Sequence, residues 1–153
     1  MVRQSIKTTC LKLLAQREHS RNELFNKLTK KGYCPSDIQP VLIELAQMDL
    51  QSDQRFIESY VRQRLQKGYG IMAIRYELIK KGINFACNID DMLLTITGGE
   101  WFSLLTQVYC KKYGEIQPIS YQEWIKRRRF LVQRGFSASQ LAQFVSESQI
   151  LRS

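Results

Sequence analysis

The sequence predicts an all-α protein built from three tandem three-helix repeats, and three observations support this fold class. Apolar residues recur with helical spacing along the chain, and no segment alternates apolar and polar residues long enough for a convincing strand. The segment LFNKLTKKG at 24–32 recurs as IRYELIKKG at 74–82, a shift of 50 residues. A weaker third copy ends at 134–136. We therefore expect repeats over residues 1–51, 52–98 and 99–153, stacked into a short, curved, elongated array.

Start and stop signals for three helices follow one another in the first repeat. A helix with one apolar side ends near residue 16. Ser20 and Glu23 then match a capping box, in which the serine hydroxyl and the glutamate carboxylate satisfy each other's backbone amides. Gly32 ends the helix that this box opens, and a third helix runs from Pro35 to about Met48.

The second repeat follows the same plan. A helix is predicted from about Asp53 to Lys67, and a flexible turn at Gly68-Tyr69-Gly70 follows it. The next helix is ended by Gly82, and Asn84 caps a third helix that ends at Gly98-Gly99.

In the third repeat, a helix from Trp101 ends near Tyr113-Gly114, and residues 115–119 form a short linker. Capping boxes are predicted at 120–123 and 137–140, each opening a helix, and Gly135 ends the first of these two.

Composition narrows the class of protein. With 153 residues, 44% hydrophobic and 24% charged, the chain is typical of a globular protein with a core of about one domain. No apolar run approaches the roughly 20 residues of a membrane helix, and residues 1–7 lack a signal peptide's apolar core, so we expect no membrane association and a cytoplasmic protein.

The four cysteines and one histidine lack the spacing of a zinc site, which predicts free, mostly buried thiols and no bound metal.

The sequence contains no set of residues whose types and spacing indicate a catalytic site. His19 has no nucleophile or carboxylate partner placed by a motif, so we interpret it as a surface or capping-turn residue. Asp90 and Asp91 are neighbours on a helix and face different ways. Gly68-Tyr69-Gly70 lacks the remainder of a phosphate-binding loop. We therefore predict no catalytic residues, no cofactor and no enzyme activity.

The basic residues are the candidates for function. The net charge is +9, which favours a polyanion or an acidic protein groove as partner. Lysine pairs at helix ends, such as Lys80-Lys81 and Lys111-Lys112, are explained by the helix dipole. Two clusters of basic residues, at 62–75 and at 126–129, are denser and lie near aromatic residues. Arginine and aromatic side chains together suit stacking on nucleotides or anchoring in a protein interface. The predicted partner-binding residues are Arg62, Arg64, Lys67, Tyr69, Arg75, Lys126, Arg127 and Arg129.

Several segments together resemble the RecX family of bacterial recombination regulators. The opening segment LLAQREHSRNEL at 13–24 resembles the family's first signature, and RFLVQRGFS at 129–137 resembles its C-terminal one. Between them, 53–56 with 60–61, and 68–70 with 77–83, match in order and separation. Ile71 stands where the family often has proline.

This resemblance implies both a fold and a function. RecX proteins consist of three tandem three-helix repeats, are not enzymes, and bind the RecA recombinase, chiefly as its filament on single-stranded DNA. They inhibit its ATPase, strand-exchange and co-protease activities, and so regulate recombination, DNA repair and the SOS response. Some members also bind DNA directly. We expect a monomer of this kind. The alternative is a direct DNA-binding helical module, in which the middle and third helices of a repeat act like a helix-turn-helix and 126–129 meet phosphates.

Overall fold

A computed structural model describes residues 1–83 and 89–152, and these residues are helical apart from turns, loops and one isolated bridge. The predicted cap Asn84 and the thiol of Cys87 lie outside the described residues. The helices are α1 (Val2–Gln16), α2 (Arg21–Lys30), α3 (Pro35–Gln47), α4 (Asp53–Gln66), α5 (Ile71–Lys80), α6 (Ile89–Thr97), α7 (Trp101–Tyr113), α8 (Tyr121–Gln133) and α9 (Ala138–Ser148). The all-α fold class is confirmed.

The chain forms two compact units. Unit 1 comprises Met1–Tyr60 and Leu78–Asn84, and unit 2 comprises Val61–Glu77 and Phe85–Ser153.

The core of unit 1 lies among α1, α2 and α3, which bury the apolar sides that helical spacing predicted. Each fully buried leucine or isoleucine contributes about 1.5–3 kcal/mol relative to an exposed position. The buried set is Ile6, Cys10, Leu24, Leu28, Ile38, Val41, Leu42 and Leu45.

An aromatic core in unit 2 joins α7, α8 and α9. The ring of Phe144 lies 5.4 Å from that of Tyr109 and 6.1 Å from that of Trp124, measured between centroids. The predicted linker at 115–119 is fastened to the C-terminal residues, because the Ile119 amide donates to the Ile150 carbonyl at 2.7 Å. Ile150 is fully buried as a result of this docking.

Two of the three predicted capping boxes are complete. In the first, the Glu23 amide donates to Ser20 Oγ at 3.0 Å, and the Ser20 amide donates to the Glu23 carboxylate at 3.2 Å. The box at 137–140 has the same reciprocal bonds. At the N-terminus of α8, Ser120 accepts from the Glu123 amide, but the Glu123 carboxylate accepts from Arg127 Nε at 3.0 Å one turn later. The box predicted at 120–123 is therefore half formed.

The predicted flexible turn at 68–70 is held in place by the end of α8. The Gly70 amide donates to the Arg134 carbonyl at 2.6 Å, and the Met72 amide donates to the Gly135 carbonyl at 3.0 Å. A Cβ on Gly70 would lie 2.6 Å from the Gly135 oxygen, which is closer than real contacts allow. Gly70 and Gly135 permit a backbone approach that larger residues would block, and this approach packs the turn against the end of α8.

Candidate partner-binding surface

A stack of cations on an aromatic ring forms at the turn between α4 and α5. The Arg64 guanidinium carbon lies 3.8 Å from the centroid of Tyr69, and that of Arg134 lies 4.7 Å from the same ring. Arg64 also makes two hydrogen bonds to the Glu77 carboxylate, at 3.0 and 2.7 Å. Paired charges held in this way stabilise the turn. Arg64 and Tyr69, both predicted as partner contacts, therefore already have partners inside unit 2.

Arg127 on α8 is held in a comparable way. Its Nε donates to Glu123 at 3.0 Å, one of its terminal nitrogens donates to the Tyr109 hydroxyl at 2.7 Å, and its guanidinium carbon lies 4.5 Å from the Tyr113 centroid. The side chain is 19% exposed. Burial lowers the pKa of Arg127, but the hydrogen bonds that Arg127 donates to Tyr109 and Glu123 outweigh this effect and raise that pKa.

The remaining predicted contact residues are exposed: Arg62 on α4, Lys67 just after it, Arg75 on α5, and Lys126 and Arg129 on α8. Residues three apart on a helix lie on one face, so Lys126 and Arg129 present their charges together. The cluster predicted at 126–129 thus separates into outward cations and one inward arginine.

Lys67 belongs to a surface that the sequence did not reveal. A groove of about 430 Å³ is lined by the ends of α4 and α8 and by α7, and we call it the basic groove. Its cations are Lys67, Lys111, Lys112 and Arg134, and its apolar walls include Leu65, Leu104, Val108 and Phe130. Three of these cations were not predicted as contacts. The sequence held two signals for these three cations. The third repeat copy ends at Arg134, and Lys111-Lys112 is a lysine pair, although the helix dipole was sufficient to explain that pair.

His19 was predicted as a surface or capping-turn residue; the surface position is wrong, and the capping-turn position is confirmed, because the buried ring directly precedes the N-cap Ser20. His19 is 1% exposed and lies at the corner between α1 and α2, where its Nδ1 is 3.0 Å from the Arg17 carbonyl and its Nε2 is 2.9 Å from Lys27 Nζ. Because the carbonyl can only accept and the ammonium can only donate, the imidazole is neutral with its proton on Nδ1. Burial is the main cause that lowers the pKa of His19. Its role is to hold a corner of unit 1.

Among residues 1–83 and 89–152, no group of three His, Cys, Asp or Glu side chains is placed to hold a metal ion. Cys10 is buried and Cys110 half-buried, whereas Cys34 is exposed. In the same part of the chain, no helix combines the length and apolar character that crossing a membrane requires.

Comparison with known proteins decides the family. Three family models match in order along the chain: "RecX, first three-helix domain" at residues 7–45, "RecX, second three-helix domain" at 52–86 and "RecX, third three-helix domain" at 99–145. The chain belongs to the RecX family. The repeat boundaries at 51/52 and 98/99 stay a prediction.

RecX relatives from several bacteria match over nearly the full length. The "Regulatory protein RecX" of Legionella pneumophila (strain Corby) is 36% identical over 142 residues, covering 91% of each chain. That of Pseudomonas fluorescens is 37% identical over 142 residues, covering 93% of this chain and 90% of its own. The fold is also that of the crystal structure of RecX from Lactobacillus salivarius, with a TM-score of 0.80, 22% identity and 98% of both chains covered. The relatives are named as regulatory proteins.

Proposed function

We propose that this RecX family member binds RecA and its filament on single-stranded DNA and inhibits the ATPase, strand-exchange and co-protease activities of RecA. It would thereby regulate recombination, DNA repair and the SOS response, acting as a cytoplasmic monomer without catalysis or a cofactor. The observation that carries this proposal is the family match over all three repeats, together with relatives named as regulatory proteins.

The surface of unit 2 supports binding to a charged partner. Arg62, Lys126 and Arg129 are exposed, and no ion pair within the described residues neutralises them. Exposed cations of this kind raise the rate of encounter with a negatively charged surface and contribute less to affinity. Arg64 and Arg127, by contrast, are held in ion pairs with Glu77 and Glu123.

The test is hydrolysis of ATP by RecA on single-stranded DNA, titrated with this protein and with a variant carrying Arg62→Glu, Lys126→Glu and Arg129→Glu. We leave Arg64 unchanged, because a glutamate there would face Glu77 and disturb the fold. The variant should need roughly tenfold more protein for half-inhibition.

A control variant carries Arg3→Glu, Lys12→Glu and Lys30→Glu, which are exposed positions of unit 1, and has the same net charge. The control should inhibit like the parent protein. A flat ATPase rate at saturating parent protein would overturn the proposed function. Equal inhibition by both variants would instead remove these three residues from the contact surface.

Direct binding to DNA is the second candidate function. It is favoured by the exposed cations Lys126, Arg128 and Arg129 along α8, which suit contact with phosphates. Affinity that rests on phosphate contacts falls steeply with salt, because counterions are released on binding. Anisotropy of a labelled single strand and a labelled duplex, measured from 50 to 200 mM salt, tests it. Binding to RecA in the absence of DNA should change less over the same range.

A further inference from the structure

The four cations of the basic groove are not neutralised by the protein itself. Lys67, Lys111, Lys112 and Arg134 form no ion pair within the described residues, and no carboxylate is among the residues that line the groove. Arg64 and Arg127, in the same unit, are each paired with a glutamate. The groove is therefore a local concentration of positive charge, which favours an anionic ligand.

The helix dipole accounts for only part of this charge. The cations lie at the C-terminal ends of α4, α7 and α8, and each helix end carries about −0.5 elementary charge. Three ends supply about −1.5 against four cations, so about 2.5 positive charges remain. A dipole explanation, which suffices for a single lysine pair, does not suffice here.

The apolar part of the groove indicates what kind of anion fits. Leu65, Leu104 and Val108 provide aliphatic walls, and Gly68 leaves the space open, since a Cβ there would lie 3.0 Å from a Val108 methyl. Such walls match an aliphatic side chain.

Phe130, the aromatic side chain that lines the groove, is already engaged. Lys112 Nζ lies 3.7 Å from its centroid, and the ring of Tyr113 packs against it edge-on at 5.9 Å. A nucleobase needs an open aromatic face to stack on. The groove therefore favours an acidic peptide over a single-stranded nucleic acid.

Two of the four cations, Lys112 and Arg134, are held in position before any ligand arrives. Arg134 donates to the Lys67 carbonyl at 3.2 Å while its guanidinium lies over Tyr69, and Lys112 is held over Phe130. Side chains that are already ordered lose less entropy on binding.

We propose that the basic groove binds an acidic peptide segment that carries an aliphatic side chain and belongs to a protein partner. This inference rests on the proposed function only in taking the partner to be a protein. The surplus of positive charge selects the acidic residues, and the Leu65–Leu104–Val108 wall takes the aliphatic one.

The experiment is an NMR titration of the ¹⁵N-labelled full chain with the synthetic peptide DELED, the peptide DESED, and an oligothymidylate of ten nucleotides. DELED should shift the amide signals of Gly68, Lys111 and Lys112, and replacing its leucine with serine should weaken binding roughly fivefold. The absence of shifts at millimolar DELED would overturn the proposal, and so would tighter binding of the oligonucleotide at the same amides.

A variant pair separates the groove from general charge. Lys111→Glu with Lys112→Glu should weaken DELED binding roughly tenfold. Lys30→Glu with Lys31→Glu, an exposed pair at the end of α2, makes the same charge change and should leave binding unchanged. Equal weakening in both variants would overturn the proposal.

The peptide titration and the ATPase test can fail independently. Because the titration contains no RecA, its failure leaves the proposed function standing, and a failure of the ATPase test leaves the groove result standing.

Discussion

Single residues in the signature at 13–24 act through contacts at the corner between α1 and α2. Arg17 pairs with Glu23 through two hydrogen bonds, at 3.2 and 2.8 Å, and Ser20 caps α2. Burial raises the pKa of Glu23, but the bonds from Arg17 and the Ser20 amide outweigh it and hold that pKa below its usual range. The buried Gln51 donates to the His19 carbonyl at 3.3 Å. The residues of the signature at 13–24 that are named here thus make contacts that hold the corner between α1 and α2 in unit 1.

His19 makes the stability of the protein depend on pH. Its pKa is lowered in the folded state, so the unfolded chain takes up a proton first as pH falls below about 6.5. Stability is fully present above that pH and falls below it, with a slope of at most about 1.4 kcal/mol per pH unit. Urea unfolding between pH 7.5 and 5.5 measures this effect. Since His19 is the chain's one histidine, His19→Gln should remove the slope, and an unchanged slope would contradict the assignment.

At the scale of the helix, the caps differ in how many bonds each serine supports. Ser20 is fully buried, and its box is reciprocal. Ser120 supports one bond, because Glu123 is shared with Arg127. Glu23 accepts from the Ser20 amide as well as from Arg17, whereas Glu123 accepts from Arg127 and leaves its box half formed.

Alanine substitution should reveal this difference. Ser20→Ala should cost about 1–2 kcal/mol of unfolding free energy, and Ser120→Ala about 0.5–1 kcal/mol. Chemical denaturation of the two variants and of Ser137→Ala, whose box is also complete, measures the order. A larger loss for Ser120→Ala than for Ser20→Ala would contradict the role assigned to the reciprocal bond.

At the scale of the whole molecule, the close approach of Gly70 to Gly135 joins parts of unit 2 that lie far apart in the sequence. The approach places Arg134 beside Tyr69 and Lys67, and it thereby shapes the basic groove. A methyl group at position 70 would meet backbone atoms, which cannot rotate away as a flexible side chain can.

Gly70→Ala should therefore cost about 2–3 kcal/mol of unfolding free energy. Gly98→Ala is the matched comparison: Gly98 has a φ of +60° and open space around it, so backbone strain of about 1 kcal/mol is expected there. Thermal and urea unfolding measure both. A cost for Gly70→Ala no greater than that for Gly98→Ala would show that the turn can separate from the end of α8.

The sequence alone was sufficient for the helices of the described residues, for two of the three predicted capping boxes and for the order of the three-helix repeats. Those features depend on apolar spacing and on bonds between residues three or four apart, as at Ser20 and Ser137. It was insufficient for the roles of the basic residues. Arg62 and Arg64 look alike in the sequence, yet Arg64 bonds to Glu77, 13 positions away.

Only the tertiary structure decided which cations form ion pairs with glutamates and which line the basic groove. Arg127 reaches Tyr109 across 18 positions, and Arg134 reaches the Lys67 carbonyl across 67. The basic groove exists because three helix ends meet, and no local pattern encodes that meeting. Local interactions thus specified the elements of this RecX family member, whereas packing between distant segments selected which of its cations are paired with carboxylates and which line the basic groove.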